Sequence, residues 1–577
     1  MFSIGDPLIL GIHIGHDSGA AIVKGTTILA AVTEERFTRI KHYGYLPLKS
    51  IEYCLQHANA DMNDLDALAF ASVYFPEEIK HLFKFNQKIL KKKSKAAKGL
   101  KDRLRLSLLG VVRRLVNLPP STPPIYVPTY EIDHNIPIFF VEHHLAHAAT
   151  AYYTSGYGAD NLIVTADGIG DRISTAIWQA VDGKIQPLVK YGREGSLGWF
   201  YGVVTEGLGW WIGNGEGKTM GLAAYGNPTR AKNALTPFLP IYKNGYLHKG
   251  YRFSLPSEWI IRDTRHWHFL ESVTIHELLA QDSREDIAAA CQALLEEQIL
   301  NLISYWVKKL DIHHLCSAGG VFLNVKMNQH LRSNLNLEDY HIFPCAGDGG
   351  IALGAALQAL TELTDHPQFP AMINDYFGPE YSNDEIESIL KMRKLKYEET
   401  DAIAEICGEK LAQGKIVGWF QGRMEYGPRA LGNRSILIDP RKEENKDIIN
   451  NQVKFRDPWR PFCPSLLEEV ASEYLIDAQK APYMIISFDV IGKKVCEIPA
   501  VIHVDGTARP QTVSKDTNPR YHHLIESFAD QTSTPVILNT SFNIKGEPIV
   551  CHPVDAIECF FNTGLDILAI NNFIIEK

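Results

Sequence analysis

The sequence predicts an α/β protein with more than one domain, and three observations predict it. From about residue 160 onward, strand-like runs, glycine turns and helix-like runs alternate, the pattern of sheets layered with helices. The chain has 577 residues, 45% of them hydrophobic, more than a single core holds. Around 362–383 a turn-rich stretch, "TDHPQFPAMINDYFGPEYSND", separates two segments of different character. The boundary is placed near 365–370, giving domains of 1–367 and 368–577.

The N-terminal elements follow from local composition. "LILGIHIG", "GAAIVKG" and "TILAAVTEER" read as three short strands, the last two joined at Lys24-Gly25-Thr26. "LKSIEYCLQHA" has helical spacing. Positions 80–114 carry thirteen Lys and Arg against one acid, Asp102. They read as basic amphipathic helices with a solvated face, or as a patch for an anionic partner. "NLPPSTPPIYVP" is a Pro-rich connection. "VEHHLAHAATAYYTSGY" is Ala-rich and free of Gly and Pro until Gly156, which favours a helix with His143 and His147 on one face. "NLIVTADGIGD" is a strand ending in Asp167 and Asp171. "EDIAAACQALLEEQILNLISYWVKKL" is a long amphipathic helix. "HLCSAGGVFLNVKMNQHL" and "YHIFPCAGDGGIALGAALQAL" are each strand, Gly turn and helix.

Bulk properties narrow the function. A formal charge of −9 weighs against a general nucleic-acid binder. Nine scattered cysteines without a Cys-x-x-Cys fit reduced thiols of a cytoplasmic protein. "MFSIGDPLILGIHIG" lacks the basic start of a signal peptide, and no apolar run is long enough to span a membrane. No short-period repeat is present.

Several constellations carry candidate chemistry. A His-x-x-x-His pair on a helix fits a hydrogen-bonded core cluster as well as a metal site. Asp167 at a strand end and Asp348 in "CAGDGG" lie where an α/β fold gathers ligands, and two His with two Asp suit an open iron or zinc site. "WWIGNGEGKTMGLAAYG" is one residue short of a phosphate-cradling P-loop, which leaves Lys218 as a candidate anion contact or part of a surface loop. The Gly pairs of "SAGGVFLN" (Gly319, Gly320) and "GDGGIALGAA", with "ADGIGD", resemble the nucleotide turns of the actin, Hsp70 and sugar-kinase superfamily. In the second segment, "GWFQGRMEYGPRALGNRSILIDPR" sets Arg423, Arg429, Arg434 and Arg441 among Gly, Pro and aromatics, and "VKFRDPWRPFCPSL" adds Lys454, Arg456 and Arg460. Later come Arg509, Asn539, Ser541 and Asn543. Such arginines suit a pocket that grips phosphoryl oxygens in pairs, or buried ion pairs.

These runs, together with "GHDSGAAIV", "EERFTRIKHYGYLP", "EHHLAHAA", "RDPWRPFCPS", "DGTARPQ" and "NTSFN", occur in order over nearly the whole chain. They resemble the O-carbamoyltransferases of the nodulation-protein and cephalosporin-carbamoylating family. The resemblance implies an actin-like two-lobed N-terminal domain like the tRNA threonylcarbamoyl-transfer protein. It implies a C-terminal α/β domain like YrdC, the threonylcarbamoyl-adenylate synthase. It implies a two-stage reaction: carbamoyl phosphate and ATP give carbamoyl adenylate, whose carbamoyl group passes to a hydroxyl of a small-molecule natural product.

Carried over residue by residue, the resemblance assigns His143, His147, Asp167 and Asp348 to Fe2+ or a similar divalent ion, with His144 facing away. His16, with Asp17, takes the acceptor's proton or merely orders its turn. Lys41, Lys218, Gly319, Gly320, Asn324 and Gly347 contact the nucleotide or intermediate. Arg423, Arg429, Lys454, Arg460, Arg509, Asn539, Ser541 and Asn543 bind carbamoyl phosphate and ATP, which brings Mg2+. Two other readings stand beside this one: an actin-like small-molecule kinase or ATPase, and a carbamoyl-type modifier of tRNA.

Overall fold

The structure is a computed structural model that describes residues 6–73, 125–126, 136–158, 160–254, 260–262, 265–365 and 367–577. The basic stretch at 80–114 lies outside the described residues.

The first sheet begins with an antiparallel meander of β1 (Leu8–His13), β2 (Gly19–Lys24) and β3 (Thr27–Thr33). β4 (Ala67–Phe70) runs parallel to β1, β6 (Pro137–Phe140) parallel to β4, and β5 (Ile125–Tyr126) closes the edge. Ile9, Leu10, Ala20, Ala21, Ile22 and Val23 are all buried, so both faces of this sheet are covered. The second sheet repeats the plan. β7 (Asn161–Gly170), β8 (Ile173–Val181) and β9 (Lys184–Tyr191) form a meander, and β10 (His314–Ala318) and β11 (Asp339–Ile342) add in parallel beyond β7. Two sheets of one topology make the two-lobed actin-like fold that the sequence resemblance implies.

Two helices lie between these sheets. His143–Tyr153 packs on β7 and β10, and Ile351–Leu363 packs on β1, β2 and β4. They meet each other so closely that a side chain at Gly354 would collide with the backbone of Ala146. Behind the second sheet runs the long helix Arg284–Leu310, started by Ser283, whose hydroxyl accepts from the Asp286 N–H at 3.1 Å. Glu285 and Asp286 in its first turn and Lys308 and Lys309 in its last complement its dipole.

After 364–382, which carry no helix or strand among the described residues, a third sheet forms. Its eight strands lie in the order Glu398–Glu399, Phe573–Glu576, Ile567–Ile570, Val417–Phe420, Arg434–Ile438, Val536–Ser541, Cys463–Leu467 and Gln511–Val513. It docks on the second lobe partly through Asn328, whose amide donates to the Ile485 carbonyl at 2.7 Å.

Candidate active site

The helix carrying the histidines starts where Glu142 turns its carboxylate back onto the N–H groups of His144 (2.9 Å) and Leu145 (3.3 Å). From its first turns His143 and His147 point at the ends of two structures of the second lobe. Asp167 lies in β7, and Asp348 opens the turn before Ile351–Leu363. His147 Nε2 lies 3.2 Å from Asp167 Oδ2 and 3.4 Å from Asp348 Oδ1, and His143 Nε2 lies 3.3 Å from Asp348 Oδ1. All four donor atoms fall within 4.8 Å of one another. Burial disfavours charge here, yet the opposite partners outweigh it. Asp348 and Asp167 raise His143 well above its ordinary range, and the two imidazoles hold Asp167 well below its own. His143 Nε2 is buried without a hydrogen bond among the described residues. Two imidazole nitrogens, one of them buried and unsatisfied, with two carboxylate oxygens fit a divalent transition ion. His144 turns away, bonded to Thr165 Oγ1 and the Ile173 carbonyl, both at 2.9 Å.

His16 follows β1, and its Nδ1 sits 3.0 Å from Asp17 Oδ2. His42 holds the other oxygen of Asp17 at 2.8 Å and stacks on His16. Burial pulls the His16 pKa down, but the hydrogen bond and charge of Asp17, helped by Asp348 and Asp167, raise it to about 9.

The cationic residues are placed by the third sheet and its loops. Glu425 Oε1 accepts the N–H groups of Leu431 (2.7 Å), Asn433 (2.9 Å) and Arg434 (3.2 Å), folding "EYGPRALGNR" back so that Arg429 projects inward. Lys454 is buried. Its Nζ donates to Asn543 Oδ1 (2.8 Å), the Asn543 carbonyl (3.1 Å), Ser541 Oγ (3.2 Å) and the Ser541 carbonyl. Burial, then the charges of Arg456 and Arg460, hold it well below the usual lysine range. Burial, and then neighbouring guanidiniums, lower Arg429 and Arg456 to about 9. Asp457 beside them is already paired with Lys218 at 3.3 Å. The cluster is short of negative charge.

One cavity of about 710 Å³ joins these groups. Its walls include His16, Asp17, Lys41, Asp167, Gly320, Asn324, Gly347 and Asp348 on one side, and Arg429, Lys454, Arg456, Arg460, Ser541 and Asn543 on the other. His143 and His147 lie behind the two aspartates. Gly319 does not line the wall; it holds the turn at φ 102°, its N–H on the Ala346 carbonyl. Arg423 spends its donors on the carbonyls of Leu29, Phe377 and Gly378, tying lobe to sheet. Asn539 bonds to the Ala430 carbonyl and Ser465. Arg509 lies behind the wall with two N–H groups on Cys463 Sγ, at 2.8 and 3.1 Å. Arg434, fully buried, satisfies four backbone carbonyls.

Other wall residues were not singled out from sequence: Arg36, His42, Glu216 and Lys545. Arg36 and His42 belong to "EERFTRIKHYGYLP", whose length was itself a signal. Nothing in the local pattern marks Lys545.

Two family models match the chain: the carbamoyltransferase N-terminus over residues 8–357 and the carbamoyltransferase C-terminus over residues 408–577. The chain is similar to nodulation protein NolNO of Sinorhizobium fredii, 36% identical over 97% of this chain and 79% of that one. It is similar to the 3'-hydroxymethylcephem-O-carbamoyltransferase of Streptomyces clavuligerus, 30% identical over 60% of this chain and 61% of that one. Among solved structures, the activator of the 2-hydroxyisocaproyl-CoA dehydratase from Clostridium difficile aligns over 62% of this chain and 95% of its own, at 13% identity and a TM-score of 0.32. With both of its halves matched and its motifs in order, the chain belongs to the carbamoyltransferase family.

Proposed function

We propose that the chain is an ATP- and carbamoyl phosphate-dependent O-carbamoyltransferase acting on a hydroxyl of a small-molecule natural product. In this reading residues 368–577 form carbamoyl adenylate and residues 1–367 transfer its carbamoyl group. One observation carries it. A single cavity has guanidinium and ammonium groups short of counter-charge on one wall, and on the other a two-His, two-Asp cluster beside a His–Asp pair. The hydroxyl acceptor is supported by the relative named for O-carbamoylation of a hydroxymethyl cephem.

On the cationic wall, Arg429, Lys454, Arg456 and Arg460 hold the phosphates of ATP and carbamoyl phosphate, with Mg2+ accompanying the nucleotide. Water cleaves carbamoyl phosphate to carbamate and phosphate. A carbamate oxygen then attacks the α-phosphorus, the bridging P–O bond to the β-phosphorus breaks, and pyrophosphate leaves. The cavity walls keep bulk water from the labile adenylate. At the other wall the acceptor oxygen attacks the carbamoyl carbon, the bond from that carbon to the AMP oxygen breaks, and AMP leaves. The hydroxyl proton passes to Nε2 of His16, whose Nδ1 is held by Asp17. His143, His147, Asp167 and Asp348 would hold a divalent ion such as Fe2+, which would supply Lewis acidity at this wall. Lys41, bonded to Asn214 at 2.9 Å, adds a positive charge there.

The test is the product set from ATP, carbamoyl phosphate and a panel of hydroxylated natural products. Pyrophosphate, AMP and a carbamate ester are expected. Formation of ADP in their place would establish the kinase reading.

A further inference from the structure

Arg39 belongs to the first lobe, yet its side chain ends in the third sheet's territory. It follows the short helix Glu35–Thr38, with its own N–H on the Glu35 carbonyl. Its backbone is left-handed, φ 60° and ψ 17°, a conformation that a non-glycine residue holds only when its surroundings fix it. The guanidinium donates to the Ile549 carbonyl at 2.6 Å and the Pro548 carbonyl at 2.8 Å. Asp555 and Glu547 lie 3.7 and 3.9 Å from it.

Those two carbonyls end the loop that begins at Ser541. Within the loop, Asn543 Nδ2 donates to the Glu547 carbonyl at 2.7 Å. Asn543 Oδ1 in turn accepts from Lys454 Nζ at 2.8 Å. An unbroken series of bonds therefore runs from Arg39, through 548–549 and 547, to the buried ammonium of the cationic wall. Arg36, one helical turn earlier, makes a second strut of the same kind. Its Nη2 donates to the Gly427 carbonyl at 3.1 Å, two residues before Arg429.

We propose that Arg39 is a positioning residue for the phosphate-binding wall: a side chain of the transfer lobe that fixes the 541–549 loop around Lys454 in the adjacent domain. The inference rests on the reading of that wall as a phosphate site. It adds that the first half of the chain helps to build the second half's site, so the two halves are not independent modules. The backbone distinguishes positioning from folding. Glycine is at ease at φ 60°, so Arg39→Gly removes the guanidinium while relieving the backbone. Arg39→Lys keeps a cation and a donor that reaches one carbonyl.

The experiment uses the full-length chain and pyrophosphate as the probe, with affinity measured by calorimetry beside metal content and melting temperature. Arg39→Gly is expected to weaken pyrophosphate binding by about tenfold or more, the scale of losing charge-assisted bonds. Its bound metal should be unchanged and its melting temperature within a few degrees of wild type. Arg39→Lys should recover most of the affinity. Wild-type affinity in Arg39→Gly would overturn the relay alone, as would a loss of metal and melting temperature in step with the loss of pyrophosphate. A wild-type protein that does not bind pyrophosphate would overturn the phosphate reading and the relay with it.

Discussion

Asp375 lies in the segment that crosses between the lobes and the third sheet, and it is a buried acid with an unusual charge burden. Its carbonyl accepts the Tyr426 N–H at 2.8 Å, while its Oδ2 is buried without a hydrogen-bond partner among the described residues. Burial, and then the charge of Glu425, raise its pKa to about 8. The sign follows by linkage. A folded-state pKa above the unfolded one means that the folded chain binds the extra proton between about pH 4 and pH 8. The stabilisation is therefore complete below about pH 4, falls steadily as pH rises from about 4, and is fully lost above about 8. At about 1.4 kcal/mol per tenfold step, a rise from 3.8 to about 8 sets the ceiling at about 6 kcal/mol. Asp375→Asn keeps the shape and removes the titration. Thermal unfolding at pH 5, 7 and 9 should show the variant only slightly more stable than wild type at pH 5, where about a quarter of the loss has accrued, and clearly more stable at pH 7. At pH 9 the variant should melt higher by on the order of 6–12 °C, taking about half the ceiling and about 2–4 °C per kcal/mol. An equal difference at pH 5 and pH 9 would refute the argument, because an uncharged packing effect does not depend on pH.

Three further outcomes test the site. His147→Ala should lose bound metal and carbamoyl transfer while keeping pyrophosphate formation, read by elemental analysis, carbamate-ester detection and a pyrophosphate-release assay; loss of both half-reactions in a folded variant would contradict the two-wall reading. Arg429→Ala should lower adenylate formation by one or more orders of magnitude, the scale of a lost charge-assisted contact, with metal content unchanged and supplied carbamoyl adenylate still consumed. If His16 accepts the proton, wild-type single-turnover transfer should climb with pH until about 9, where its imidazole becomes neutral; His16→Asn should be slower by about 10²–10⁴-fold and lose that limb. An unchanged profile in the variant would assign His16 to the turn alone.

The two lobes follow from the family resemblance, and the members of the two-His, two-Asp cluster are legible in the sequence because each sits at a local signal that the fold brings together. A pair of histidines four apart on an Ala-rich helix and aspartates at strand-to-turn junctions are visible one element at a time. The arginines were less legible. The setting of Arg among Gly, Pro and aromatics describes a phosphate pocket and a backbone strut equally well. Arg429 lines the cavity, whereas Arg423 and Arg434 satisfy carbonyl groups. Which of the two an arginine does is decided by loop paths such as the one Glu425 folds, and those depend on contacts distant in sequence. Lys218 shows the same limit: its Gly-rich surroundings suggested a ligand, and its ammonium meets Asp457 of the other domain.

The two-His, two-Asp cluster has a mechanical side. Its imidazoles come from the helix that leaves the first sheet and packs on the second, Asp167 comes from β7, and Asp348 comes from the turn that leads into the helix packed on the first sheet. Metal–ligand distances tolerate only about 0.2 Å, so an ion held by all four residues would act as a clasp across the lobes. Closure and occupancy then become reciprocal quantities. Whatever favours the closed arrangement raises affinity for the ion by the same factor by which the ion favours closure. A cavity ligand that favours the closed arrangement by touching both lobes would raise the ion's affinity without ever contacting it.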